Sequence, residues 1–148
     1  MTSAMVSASI LVVDDDEATR DVLRWVLEDA GYTVTEAADG LAALAVMRAS
    51  ITPLVTLLDL DLPRADGLAV LTAVASEPTL AARHRYILLT AVAPKRVEQT
   101  DEICARLAVP VVFKPFDVDD LMRAIALASA DAARAVALPA SAAQQLRR

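Results

Sequence analysis

Four short apolar runs, Ile10–Val13, Leu54–Leu58, Tyr86–Leu89 and Val109–Phe113, are built mostly of Val, Leu and Ile with little alternation. That pattern belongs to parallel strands covered on both faces. A fifth stretch, Thr33–Ala37, alternates and reads as an edge strand. Between the runs the apolar spacing turns helical. Val22, Leu23, Val26, Leu27 and Ala30 make one face of a first helix, with Arg20, Arg24, Glu28 and Asp29 on the other and Gly31 as its C-terminal cap. Asp39 caps a second helix carrying Leu41, Leu44 and Ala45, Gly67–Ser76 and Lys95–Leu107 supply two more, and Asp117 opens a fifth with Leu121, Ile125 and Ala128. Strand and helix alternate throughout, which predicts an α/β fold: an open, doubly wound five-stranded parallel sheet with five helices on its two faces, joined by right-handed crossovers.

The chain divides into a disordered N-terminus over 1–8, one domain over 9–130, and an Ala-rich helical extension ending in a polar tail or linker over 131–148. A domain of that size buries a sufficient core alone. Aromatic residues are only 3% of the chain, so its 56% hydrophobic share is mainly Ala, Leu and Val. A net charge of −6 argues against direct nucleic-acid binding, which needs a basic footprint. Cys104 and His84 are the lone cysteine and histidine, so neither an internal disulfide nor a His-rich zinc site is available, and a reducing, cytoplasmic setting is expected. No apolar run reaches membrane-spanning length, and the N-terminus lacks the basic start of a signal peptide. His84, between Arg83 and Arg85, reads as part of a solvated loop, Trp25 as packing at the core edge, and Cys104 as packed or partly exposed in its helix.

Reactive residues collect at the carboxyl ends of the predicted strands, the edge at which open α/β sheets bind ligands. Asp14, Asp15 and Asp16 follow the first strand, Asp59 and Asp61 the third, Thr90 closes the fourth and Lys114 the fifth. With strand order 2-1-3-4-5 the first and third strands are neighbours, and Asp14, Asp15 and Asp59 converge. Clustered carboxylates repel one another unless a cation compensates. Magnesium suits such a site because it prefers carboxylate and carbonyl oxygens and recruits phosphate as a further ligand. A carboxylate flanked by a metal and an ammonium is equipped to attack phosphorus, since both cations neutralise the equatorial oxygens of the transferring group. Asp16 has the position of a simple helix cap.

The segments Leu11-Val-Val-Asp-Asp-Asp-Glu17, Leu57-Leu-Asp-Leu-Asp-Leu-Pro63 with Gly67 downstream, Leu88-Leu-Thr-Ala91 and Phe113-Lys-Pro-Phe116 resemble the four signature segments of bacterial response-regulator receiver domains, over about residues 9–130. The resemblance implies a flavodoxin-like fold and a phosphoacceptor of two-component signalling rather than an enzyme. It makes Asp59 the phosphoacceptor, served by a sensor histidine kinase or a histidine phosphotransfer protein. Asp14 and Asp15 become the acid pair for Mg2+, with Asp59 and the Asp61 backbone carbonyl as further ligands. Thr90 becomes the switch hydroxyl, Ala91 the small neighbour that leaves room for phosphate, Lys114 the partner of the phosphoryl group, and Lys114–Pro115 a cis bond.

Three positions depart from the family pattern. Val111 stands where an aromatic switch residue is usual, acidic Asp61 lies two residues after the phosphoacceptor, and Val92 two after the threonine. Ala108-Val-Pro-Val111 also lacks the Gly-Ala-Asp-Asp-like stretch of many DNA-binding members, which weakens the case for a homodimer through their face, and the output partner is not encoded in these motifs. Two alternatives compete: a haloacid-dehalogenase-like phosphatase with Asp59 as nucleophile and Asp61 as general acid, and a pseudo-receiver that is only a binding scaffold. Against the first, such motifs usually end the first strand, which here already carries the acid pair.

Overall fold

The computed structural model describes residues 8–91 and 97–137. Its elements run β1 (Ser9–Val13), α1 (Glu17–Asp29), β2 (Thr33–Ala37), α2 (Gly40–Ala49), β3 (Leu54–Leu58), α3 (Gly67–Ser76), α4 (Pro78–Arg83), β4 (Arg85–Thr90), α5 (Asp101–Leu107), β5 (Val111–Phe113) and α6 (Val118–Ala137). The strands form one parallel sheet in the order β2-β1-β3-β4-β5. Every residue of β3 is buried, as a central strand without alternation requires. On one side of the sheet Leu11, Val13, Leu58 and Leu88 pack with Leu44, Met47, Leu71, Leu80 and Cys104 of α2 to α5. On the other, Ile10, Val12, Leu57 and Ile87 pack with Leu23 and Leu27 of α1 and Leu121 and Ile125 of α6. Leu27 and Ile125 are fully buried, each burial being favourable by about 2 kcal/mol relative to exposure.

Helix boundaries follow capping chemistry. Asp16, Asp39 and Asp66 each accept a hydrogen bond from the backbone N–H three residues on, which stops α1, α2 and α3 from extending backwards. Gly31 follows α1 at φ +98°, a conformation that costs a glycine little.

Several expectations need correction. Six helices rather than five are assigned among the described residues: α4 is additional, opened by Pro78 at its first position, where a missing N–H costs nothing. The helix expected over Lys95–Leu107 is assigned from Asp101, and its start falls partly outside the described residues. β5 is shorter than the run Val109–Phe113 and lies at a sheet edge, so Phe113 is 49% exposed rather than covered. On α1, Val22 and Trp25 are exposed at 62% and 71%, so Trp25 does not pack at the core edge, whereas Arg20 and Arg24 fold back toward β2. His84 is not in a solvated loop: it is 1% exposed, accepts from the Leu54 N–H at Nδ1 (3.0 Å) and lies 2.9 Å from the Met47 carbonyl at Nε2. The expectations for residues 1–7, for the polar tail and for Val92 lie outside the described residues. α6 runs unbroken through the start of the anticipated extension; Asp131 pairs with Arg85 at 2.5 Å and Ala132 is buried.

Candidate functional site

The ends of β1, β3 and β5 meet at one edge because β1 and β3 are paired in register through Val13 and Leu58 and the Asp59 N–H donates to the Val13 carbonyl (3.0 Å). Asp14 and Asp59 therefore leave adjacent strands side by side, and oxygens of Asp14, Asp15 and Asp59 lie within 4.8 Å of one another. Asp14 is 3% exposed and Asp59 9%, whereas Asp15 is exposed. Lys114, delivered by the end of β5, places Nζ 2.8 Å from Asp14 Oδ2 and 3.6 Å from Asp59 Oδ2. The Lys114 N–H donates to the Thr90 carbonyl (2.9 Å), so β4 fixes the base of the lysine, and the Lys114–Pro115 bond is cis as expected.

Asp59 is held in the turn by the Asp61 N–H, which donates to its Oδ1 (3.1 Å). Burial pushes the Asp59 carboxyl above the ordinary carboxylate range, opposed by that N–H and by the charge of Lys114. The Lys114 ammonium is itself held above its ordinary value, because its bond to Asp14 and the charges of both aspartates outweigh its own desolvation. Gly67 keeps the turn after β3 compact: its N–H donates to the Leu60 carbonyl (2.8 Å), and a Cβ there would come within 2.7 Å of the Asp59 carbonyl oxygen. Gly40 at the start of α2 is equally close-packed, against the Ala65 carbonyl.

The donor set fits a hard divalent cation. Three clustered carboxylates with one ammonium leave two surplus negative charges when all are ionised, and Mg2+ takes carboxylate oxygens together with water and phosphate. Thr90 is fully buried at the end of β4, and Ala91 after it is exposed. Asp61 is exposed. Asp16 accepts from the Thr19 N–H and hydroxyl, which is the capping role expected of it.

Sequence reasoning missed a network behind the acid pair. The Arg20 Nη1 donates to the Asp14 backbone carbonyl (2.7 Å), its Nε to Glu36 Oε1 (3.0 Å), and the Arg24 Nε lies 2.9 Å from Glu36 Oε2, close enough for charge pairing but without hydrogen-bond alignment. The available signal was the alternation of β2, which puts Glu36 on the same face as buried Val34, toward α1.

Comparisons agree with this geometry. Residues 10–126 match the family described as response regulator receiver domain. Sporulation initiation phosphotransferase F of Bacillus subtilis is 31% identical over 122 residues, which are 82% of this chain and 93% of that protein. Response regulator MprA of Mycobacterium ulcerans is 52% identical over 64 residues, 43% of this chain, and the match spans only 27% of the length of MprA. Among solved structures, a CheY-like receiver domain protein from Methanospirillum hungatei superposes with a TM-score of 0.73 at 25% identity, covering 86% of this chain and 98% of that one. A parallel sheet in the order 2-1-3-4-5, acids at the ends of β1 and β3, a lysine at the end of β5 and a family match across most of the chain lead to one assignment: this chain belongs to the response regulator receiver domain family.

Proposed function

We propose that Asp59 accepts a phosphoryl group from the phosphohistidine of a sensor histidine kinase or a histidine phosphotransfer protein. The observation that carries this reading is the arrangement of one ammonium and three carboxylates at a single sheet edge, with Lys114 Nζ 3.6 Å from Asp59 Oδ2. A carboxylate oxygen of Asp59 forms the new bond to phosphorus as the P–N bond of the donor breaks and its electron pair leaves on the imidazole nitrogen. Lys114 neutralises one oxygen of the transferring group, and Thr90, at the end of the adjacent strand, supplies a hydroxyl for another. Asp14, Asp15, Asp59 and the backbone carbonyl of Asp61 are the residues that would hold Mg2+, which when bound supplies positive charge to the phosphoryl oxygens.

The product is an acyl phosphate that marks a state rather than a released product, so the chain acts as a switch and not as a turnover enzyme. A surface that includes the carboxyl end of β4 and the start of β5 changes with it and engages an output partner of a different chain or domain. A cytoplasmic setting accords with a lone buried thiol, Cys104, and no described helix is long and apolar enough to cross a membrane. The reading is tested by treating the chain with a small acyl phosphate donor and magnesium and then with hydroxylamine, which cleaves acyl phosphates. Incorporated phosphate that hydroxylamine releases is expected; phosphate that resists it contradicts a carboxylate acceptor.

A further inference from the structure

We infer that Arg20 is a positioning residue for the acid pair, and that with Glu36 as its anchor it sets the affinity of the site for a divalent cation. The inference rests on the phosphoacceptor reading for its consequence and on geometry for its content.

The turn Asp14–Asp16 is short and carries two of the three clustered carboxylates, so its conformation decides where their oxygens stand. Its fixed points are few. The Asp14 N–H is held by the Ala37 carbonyl of β2 (3.2 Å). Its carboxylate lies between the Asp16 N–H on Oδ1 (2.9 Å) and Lys114 on Oδ2 (2.8 Å). Its carbonyl is held, among the described residues, by Arg20 alone, at 2.7 Å. Without that bond the Asp14–Asp15 peptide plane is less restrained, and its rotation moves Asp15 together with the Asp16 N–H that holds the Asp14 carboxylate. Lys114 cannot substitute as a clamp, because in the proposed reaction its ammonium must also serve the phosphoryl group.

Arg20 suits this task because a planar guanidinium engages two acceptors at fixed angles. One N–H goes to the Asp14 carbonyl and another to Glu36, and the side chain is only 15% exposed, so solvent competes weakly for either bond. Glu36 is 24% exposed and faces a second arginine, Arg24, across its other oxygen, which holds the carboxylate in line for Arg20. Arg20 touches neither the reacting carboxylate nor the carboxylates of the acid pair. It acts through the peptide behind them, as the partners of metal ligands commonly do, and loss of such partners typically lowers metal affinity by about 10- to 100-fold.

Arg24 provides an internal control, since its partners are the same Glu36 and the Val34 carbonyl rather than the acid turn. The test compares wild type, Arg20→Met and Arg24→Met by calorimetric titration with magnesium alone, by amide exchange of Asp15 and Asp16 in metal-free protein, and by thermal unfolding. Arg20→Met is expected to weaken magnesium binding about tenfold and to speed amide exchange in the turn, while Arg24→Met changes affinity less than twofold even where its unfolding temperature falls as far. Glu36→Gln, which keeps an oxygen acceptor for Arg20, is expected to retain most of the wild-type affinity, and a loss as large as that of Arg20→Met with amide exchange in the turn unchanged would contradict the anchoring role. Equal weakening in the two arginine variants, in proportion to their loss of stability, overturns the inference, as does unchanged exchange in Arg20→Met. The proposed function fails separately, by a wild type that binds magnesium yet incorporates no phosphate; were wild type to bind no magnesium, the exchange arm still decides on Arg20.

Discussion

Lys114 donates to Asp14 across 2.8 Å although the two residues stand 100 positions apart in the chain. The contact ties the end of β5 to the end of β1 over the end of β3, so the ammonium lies above both buried carboxylates at once. Replacing Lys114 with Met is expected to slow phosphoryl incorporation about a hundredfold, by analogy with the loss of a single charge-stabilising donor at a transition state. It also leaves two buried carboxylates facing each other, so the metal-free variant unfolds at lower temperature. The rate from a small phosphodonor and a thermal melt check the two halves; an unchanged rate would remove Lys114 from the chemistry.

Asp15 contributes charge to the cluster from an exposed position. Asp15→Ala is expected to weaken magnesium binding while leaving the metal-free protein as stable as wild type or more so, because a repulsive partner is gone. Stabilisation by a saturating ligand grows with the logarithm of its concentration over Kd, so the rise in melting temperature on adding magnesium shrinks in the variant. A rise equal to that of wild type would place the cation elsewhere.

Asp61 donates its backbone N–H to Asp59 and is itself exposed, two residues from the phosphoacceptor. A carboxylate there repels a dianionic phosphoryl group and is placed to orient attacking water. Asp61→Met is expected to lengthen the half-life of phospho-Asp59, followed by intact mass in excess magnesium. Equal or faster decay would show that Asp61 contributes only through its backbone.

His84 binds the Leu54 N–H and the Met47 carbonyl in a buried position, with the charges of Arg83 and Arg85 beside it. Burial, first, and then the two arginines hold its pKa below the ordinary 6.5. A proton on Nδ1 would also break the bond from Leu54. The unfolded chain therefore binds this proton at higher pH than the folded one, so the contribution is fully present above about pH 6.5 and is lost as pH falls from there through the depressed folded value. His84→Gln, which does not titrate, is expected to flatten that part of the stability profile in denaturant titrations between pH 7 and the acid limb; parallel profiles for the two proteins would contradict it.

The strands and the site acids were legible in the sequence because both depend on local pattern. A central strand such as Leu54–Leu58 shows its double burial directly as an unbroken apolar run, and Asp14, Asp59 and Lys114 stand where such runs end. His84, Arg20 and Trp25 were not legible, since each depends on what tertiary contact supplies. His84 is buried only because α2 and β3 present a carbonyl and an N–H at the right places, 37 and 30 residues away. Arg20 occupies the polar side of α1, where periodicity reads only solvent, yet β2 brings Glu36 against it. Trp25 looks like core by its chemistry and is turned outward by the helix phase that buries Leu23 and Leu27.

The central claim is that Asp59 is the phosphoacceptor. Intact mass spectrometry of wild type and Asp59→Asn, each incubated with a small phosphodonor and magnesium, tests it most directly, since the amide keeps the shape of the carboxylate but is a poor nucleophile. The account predicts one added phosphoryl group on wild type and none on a folded Asp59→Asn chain; an equal mass gain in the two would contradict it.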